Sequence, residues 1–196
     1  MSAFLEDHAL DLIFRHARTR NAWSDSPVTD EDIRNLYDLW KMGPTTMNSQ
    51  PARVLWLKSP AAKARLEPLL SPMNRAKTMA APVVAIIGYD LDFPEKLPKT
   101  FPHAPGAKDL FPDPAVREVI GLRNSSLQGG YLILAARALG FDCGPMSGFD
   151  NAGVDREFFA GTAIRSNFIC SIGKGTDENL YPRNPRLDFD EANTIL

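Results

Sequence analysis

Apolar positions recur along this chain in two different periods. Leu5, Ala9, Leu12, Ile13 and Ala17 fall at helical spacing and predict an amphipathic helix over residues 3–18. Thr29 is the expected cap of a second helix, with Asp30, Glu31 and Asp32 in its first turn, where the helix dipole favours acids. Ile33, Leu36, Tyr37 and Trp40 form its apolar stripe, and Gly43-Pro44 stops it. Residues 52–58 read as a strand. Ser59-Pro60 opens a third helix, serine as cap and proline in the first turn. Residues 83–89, Val-Val-Ala-Ile-Ile-Gly-Tyr, are a continuous apolar run rich in β-branched side chains, which predicts a strand buried on both faces.

Residues 91–112 break the pattern. Pro94, Pro98, Pro102, Pro105 and Pro112 alternate with aromatics and lysines, which predicts a loop or lid too long to be a plain connector. Asp113-Pro114 then caps the longest helix, expected to run to about Ala138 and to close at Gly140. Val116, Val119, Ile120, Leu127, Tyr131, Leu134 and Ala138 mark its expected buried side. At 1.5 Å per residue it is roughly 40 Å long, and its apolar surface exceeds what a small domain covers, so a second subunit is the expected partner. Residues 151–160 predict a short helix and residues 166–172 another central strand; the tail after Arg186 has a weak helical pattern. Helices and strands alternate too irregularly for a doubly wound parallel sheet. The expectation is one α+β domain over residues 1–196, a sheet sandwiched by helices with an excursion at 91–112.

Composition narrows the function. The net charge of −2 provides no basic excess for a run of phosphates, which argues against general nucleic-acid binding but leaves room for a local phosphate site made by one or two arginines. Two cysteines, Cys143 and Cys170, among apolar neighbours predict buried free thiols. The longest apolar run is too short to cross a bilayer and the first residues carry acids where a signal peptide carries bases, so a cytoplasmic protein with no membrane partner is expected. His8, His16 and His103 make no metal-ligand spacing with acids or cysteines. Gly144-Pro-Met-Ser-Gly148 has proline two positions before the serine, where a nucleophile elbow needs glycine, and neither a P-loop nor a Gly-x-Gly-x-x-Gly after a strand occurs.

Four polar clusters remain. Arg15 to Trp23 could complement a helix C-terminus or, through Arg18, Thr19 and Arg20, grip an anion. Gly43 to Pro51 could be a turn, but Thr45, Thr46, Asn48 and Gln50 offer uncharged donors and acceptors suited to the edge of a flat heteroaromatic ring. Cys143 to Asp150 is a Gly/Pro turn after the long helix and a short extended stretch, where backbone can approach a ligand closely. Lys174, Arg183 and Arg186 give positive charge near the C-terminus.

In order and spacing these clusters resemble the FMN-dependent nitroreductase family, with Thr45-Thr46 standing where serines are usual. Ala17-Arg-Thr-Arg-Asn-Ala-Trp23, Phe101-Pro-His103, Arg123-Asn-Ser-Ser126 and Gly144-Pro-Met-Ser-Gly-Phe-Asp150 resemble more closely the malonic semialdehyde reductase branch of pyrimidine breakdown. The resemblance implies an intertwined homodimer with two FMN at the interface and ping-pong turnover driven by NADPH or NADH. It also implies roles by position. Arg18, Thr19, Arg20 and Arg186 would contact the phosphate and ribityl chain, and Thr45, Thr46 and Asn48 would come from the partner subunit. Pro145, Met146, Ser147 and Gly148 would face the ring edge, Asn74 its pyrimidine side, with Lys174 a further contact. No acid or base is obligatory; Lys99, His103, Lys108 and Arg123 are candidates for holding a substrate carboxylate. Three other readings stay open: a broad nitro or quinone reductase, a flavin-binding protein without turnover, and a non-flavin α+β scaffold with a charged tail.

Overall fold

The computed structural model describes residues 4–196, so residue 3, the expected start of the first helix, lies outside the described residues. Four strands form one antiparallel sheet: β1 (Ala52–Leu57), β2 (Val83–Asp90), β3 (Asp142–Met146) and β4 (Ile164–Gly173), in the order β1-β2-β4-β3. The helices are α1 (Asp7–Leu10), continued by a π-helical turn over Asp11–Arg15, α2 (Asp30–Trp40), α3 (Pro60–Leu66), α4 (Pro72–Met79), α5 (Leu97–Thr100), α6 (Pro114–Ala138), α7 (Asn151–Phe158) and α8 (Phe189–Ala192).

The sheet separates two apolar layers, as the α+β sandwich requires. Along β2, Val83, Ala85 and Ile87 turn to one side and pack with Leu36 and Trp40 of α2 and Leu132, Ala135 and Ala136 of α6. Val84 and Ile86 turn to the other, against Leu66 of α3, Leu70 and Val154 of α7. The period of two in a strand produces this division, and every residue of β2 is buried because both faces are covered. Thr29 caps α2 through a reciprocal box: its hydroxyl accepts from the Asp32 N–H at 3.1 Å, and Asp32 Oδ2 accepts from the Thr29 N–H at 2.8 Å. Cys143 and Cys170 are buried free thiols.

Three expectations change. The stretch ending at Met146 is a true edge strand, β3, paired with β4 from Asp142↔Gly173 to Met146↔Ile169; Pro145 is tolerated because an edge strand can spare a donor. The 91–112 excursion is not an open loop. It folds as short helical turns around its own core of Phe93, Leu97, Ala107 and Phe111, with Met47 and Ile120 packed on it. The inward face of α6 also differs from the expected one, of whose seven residues only Ile120 and Leu134 are partly buried. Its buried residues are Gly121, Asn124, Ser125, Gln128, Gly129, Leu132, Ala135 and Ala136. Val116, Val119, Leu127 and Tyr131 are 40–54% exposed. Small residues face inward because aromatic rings of the sheet lie against them: a Cβ on Gly121 would stand 2.7 Å from Tyr89, and one on Gly129 2.4 Å from Phe168. The larger apolar side chains are left on the outer face.

Tyr89 shows what this close approach does to a titratable group. Its ring lies under α6 and its hydroxyl donates to Glu118 Oε1 at 3.3 Å. Burial, reinforced by the Glu118 charge, pushes its pKa from 10.0 up to about 12. The folded state therefore holds the proton more tightly than the unfolded chain. Stability from this source is complete below pH 10 and is lost as pH rises from 10 through about 12. In Tyr89→Phe, urea unfolding across that window should show a shallower alkaline decline than wild type. Parallel declines in the two proteins would refute the shift.

Candidate active site

The N-terminal arm after the π turn crosses the end of the sheet. Thr19 bridges Cys143 of β3 in parallel, and the Arg20 N–H donates to Cys143 O at 3.1 Å. Trp23 Nε1 donates to Lys77 O of α4 at 3.0 Å. The C-terminal tail closes over the arm reciprocally: Arg18 donates to Tyr181 O, Arg183 donates to Ala17 O at 2.9 Å, and Asn21 donates to Asn179 O at 3.1 Å.

Arm, tail, α4 and α6 enclose a cavity of about 370 Å³ whose lining includes Arg18, Lys77, Arg137, Arg183 and Arg186, together with Thr19, Asn21 and Tyr181. No Asp or Glu lines it, and none of these five cations makes an ion pair among the described residues. Five uncompensated positive charges on a chain of net charge −2 form a local anion site, with arginine forks matching a phosphate's oxygens.

The expected site residues divide on this geometry. Arg18, Thr19 and Arg186 line the cavity. Arg20 does not; it pairs with Asp142 at 3.4 Å and with Asp177, and donates to Thr176 O at 3.1 Å. Burial draws the Arg20 guanidinium down, but Asp177 and Asp142 outweigh it and hold its pKa above the ordinary value. Lys174 is directed to the C-terminal end of α6, where it donates to Gly140 O and lies 4.7 Å over the Phe141 ring. Lys77 and Arg137 line the cavity although nothing in the sequence singles them out. Lys77 stands one turn beyond Asn74 on α4, a spacing that places both on one helix face.

Asn74 and the end of β3 are brought together. Asn74 Nδ2 donates to Gly148 O at 2.9 Å, and the Ser71 N–H donates to the same oxygen at 3.0 Å. Thr78 donates to Met146 Sδ at 3.2 Å. A Cβ on Gly148 would stand 2.7 Å from Asn74 Nδ2, so only glycine keeps this clamp. Pro145, Met146, Ser147 and Gly148 thus form a rigid backbone edge beside α4, with Ser147 exposed.

The Thr45–Gln50 loop is outside the cavity of its own chain. Met47, Asn48 and Gln50 hold φ of 50°, 49° and 43°, three left-handed non-glycine residues within four positions, which persists only where the surroundings impose it. Asn124 of α6 imposes it. Buried at 1% exposure, it accepts from the Thr46 N–H at 2.8 Å and donates to Thr46 Oγ1 at 3.2 Å. Asn48 donates to Thr100 O at 2.7 Å and Gln50 Nε2 donates to Asn48 Oδ1 at 2.9 Å. Thr46 and Asn48 are exposed on the same side of the molecule as the excursion they contact. Asn124→Ala should cost about 2 kcal/mol, a melting temperature lower by about 4–8 °C, because it strips the strained loop of its anchor and leaves the partly buried Thr46 N–H without its partner. A melting temperature within about 1 °C of wild type would show that the loop holds itself.

His103 and Arg123 are both exposed; the His103 ring packs on Phe101 at 3.9 Å between centroids, and Arg123 makes no ion pair among the described residues. Lys99 and Lys108 are exposed on the same excursion. None of the four lines the cation cavity.

Comparison with known proteins places the whole chain. Residues 15–174 match the model of the nitroreductase family. A relative from Caulobacter sp. strain K31, provisionally named an NADH dehydrogenase/NAD(P)H nitroreductase, is 64% identical over 194 residues, covering 99% of this chain and 100% of the relative. One from Burkholderia lata with the same kind of name is 58% identical, covering 97% and 98%. Among solved structures, a nitroreductase-type protein of Exiguobacterium sibiricum in complex with FMN superposes at TM-score 0.84 with 21% identity, covering all of both chains. Another from Bacillus subtilis superposes at 0.85 with 18% identity, covering 97% of this chain and 100% of that one. The match to the family model over residues 15–174 and the relatives alike over nearly the whole length lead to one conclusion: the chain belongs to the nitroreductase family.

Proposed function

We propose that the protein is an FMN-dependent NAD(P)H oxidoreductase working as a homodimer, and that its acceptor is malonic semialdehyde, reduced to 3-hydroxypropanoate. The observation that carries the cofactor is the cavity of five unpaired cations. Its charge suits a phosphate monoester. Arg18, Thr19, Lys77 and Arg186 would hold the phosphate end, and Asn74 with the Pro145–Gly148 edge would meet the ring. The names of the close relatives and the FMN-bound structural neighbour support the same cofactor and donor.

The bound flavin would supply two-electron transfer between nicotinamide and acceptor, the step that protein side chains cannot perform alone. The chain's own contribution is placement. The Asn74–Gly148 clamp fixes the ring-facing backbone, and the arm and tail line the phosphate end with cations. Thr45, Thr46 and Asn48 lie outside the cavity of their own chain, so they serve a flavin held by a second copy. The outward apolar face of α6, with Val119 and Leu127 about half exposed, supports the same homodimer.

For the acceptor, His103 and Arg123 are the groups proposed to hold the carboxylate, and the resemblance to semialdehyde reductases supports them. The purified protein should be yellow and should bleach when NADPH is added anaerobically; a colourless protein that takes up no added FMN ends the flavin reading. His103→Ala and Arg123→Ala should each raise KM for malonic semialdehyde more than for a neutral nitroaromatic. Equal effects on both would favour the second reading, a broad nitro or quinone reductase, towards which the relatives' names point.

A further inference from the structure

We infer that Arg137, on the last turn of α6, is itself a phosphate-binding residue that gives the cavity its preference for a phosphorylated flavin over the same flavin without phosphate. This rests on the reading of the cavity as the FMN phosphate site.

Three observations on Arg137 point the same way. It lines the cavity with Arg18, Lys77, Arg183 and Arg186. Its Nε is buried and has no hydrogen-bond partner among the described residues. Its one hydrogen bond is from Nη1 to Ile13 O at 3.1 Å, which leaves most of a five-donor guanidinium unused. No carboxylate pairs with it among the described residues.

A half-buried guanidinium with an idle, desolvated N–H is a cost unless something accepts from it. Four further cations around the same space add like-charge repulsion. One phosphate dianion relieves both at once, since its oxygens accept charge-assisted bonds from several donors. A purely structural duty explains less. Cations at a helix C-terminus complement the dipole, but Lys174 already donates to Gly140 O at that end. The tie to Ile13 O uses only one donor. Arg183 and Arg186 stand in the exposed tail and spend donors on backbone carbonyls, Ala17 O of the arm and Asn184 O of the tail, whereas Arg137 is carried by the longest helix and is fixed in place by it.

The test compares two ligands that differ only in the phosphate. FMN and riboflavin are titrated by fluorescence quenching into flavin-free full-length chain whose fold is checked by circular dichroism, in wild type, Arg137→Gln and Arg137→Lys. The dissociation constant for FMN should rise about tenfold or more in Arg137→Gln, as expected when one charge-assisted hydrogen bond is removed. That for riboflavin should stay within about twofold, and Arg137→Lys should recover part of the FMN affinity, because charge returns without the fork. FMN and riboflavin weakened alike would make Arg137 a structural tie to Ile13 and overturn the inference, as would no change in either. Should Arg137→Gln fail to fold, the lysine variant carries the comparison, and equal losses for the two flavins overturn the inference there too. Wild type binding neither flavin is a separate result: it removes the flavin reading, and this inference with it.

Discussion

Replacing Gly129 by leucine is expected to cost about 3 kcal/mol, a large fraction of the roughly 5–15 kcal/mol that typically holds a domain folded, although leucine is the better helix former. A Cβ at this position would stand 2.4 Å from two ring carbons of Phe168, and Gly129 is buried on the inward face of α6. The helix cannot retreat, because Leu132, Ala135 and Ala136 hold it against the sheet one turn further on. Phe168→Ala in the same chain should restore part of the loss, so the double variant should be more stable than the two single costs add up to, by about 1 kcal/mol or more. The adjacent Gly130 has no atom within 4 Å of its virtual Cβ, so Gly130→Ala should cost far less than Gly129→Ala, which makes it the control. Urea unfolding of the five variants checks this. Strict additivity of the Gly129 and Phe168 changes would mean that the ring is not what the glycine makes room for.

The same contact explains which parts of the fold were legible in the sequence. β2 could be read because the apolar run over residues 83–89 has one reasonable fate in a chain this size. The α6 boundaries could be read because Asp113 and Pro114 mark one end and Gly140 the other, and Asp113 does cap by accepting from the Ala115 N–H at 2.8 Å. Its orientation could not. Large apolar side chains normally face inward, but here the sheet presents Tyr89 and Phe168, and these select glycine opposite them at positions 121 and 129. That choice is made by the partner strand's side chains and leaves no period in α6 itself. β3 was hidden for a related reason: Gly144 and Pro145 have poor strand propensity, and they pair because β4 offers an edge and the arm packs alongside.

The candidate site was half legible. Arg18 and Arg186 stand in short segments whose charge has no obvious local use. Lys77 and Arg137 sit inside helices, where a cation is ordinary; only the folding of α4 and α6 around one space sets them apart. Arg20 takes another place. Two positions from Arg18 in the sequence, it is drawn away from the cavity by its own ion pairs: its guanidinium meets Asp142 and Asp177.

That opposition yields the second large effect. On the proposed reading each arginine would supply a charge-assisted hydrogen bond to the phosphate, so Arg18→Gln combined with Arg186→Gln should weaken FMN binding about 100-fold or more, with little change in the melting temperature of the flavin-free chain. Arg20→Gln should do the reverse. Asp142 also accepts from the Gly175 N–H at 3.0 Å, and its carboxylate is only 29% exposed, so removing Arg20 leaves a partly buried anion unpaired at the junction of β3 and the tail. A cost of about 1–2 kcal/mol follows, with FMN affinity changed only as far as the arm loosens. Equilibrium dialysis and thermal melts on the same preparations separate the two roles. If Arg20→Gln loses flavin as severely as the double variant while keeping its melting temperature, the arm must turn over on binding, exchanging Asp142 and Asp177 for the phosphate. The cavity's charge would then be assembled by the ligand, whereas the unpaired state of Arg18, Lys77, Arg183 and Arg186 among the described residues argues that it is already in place.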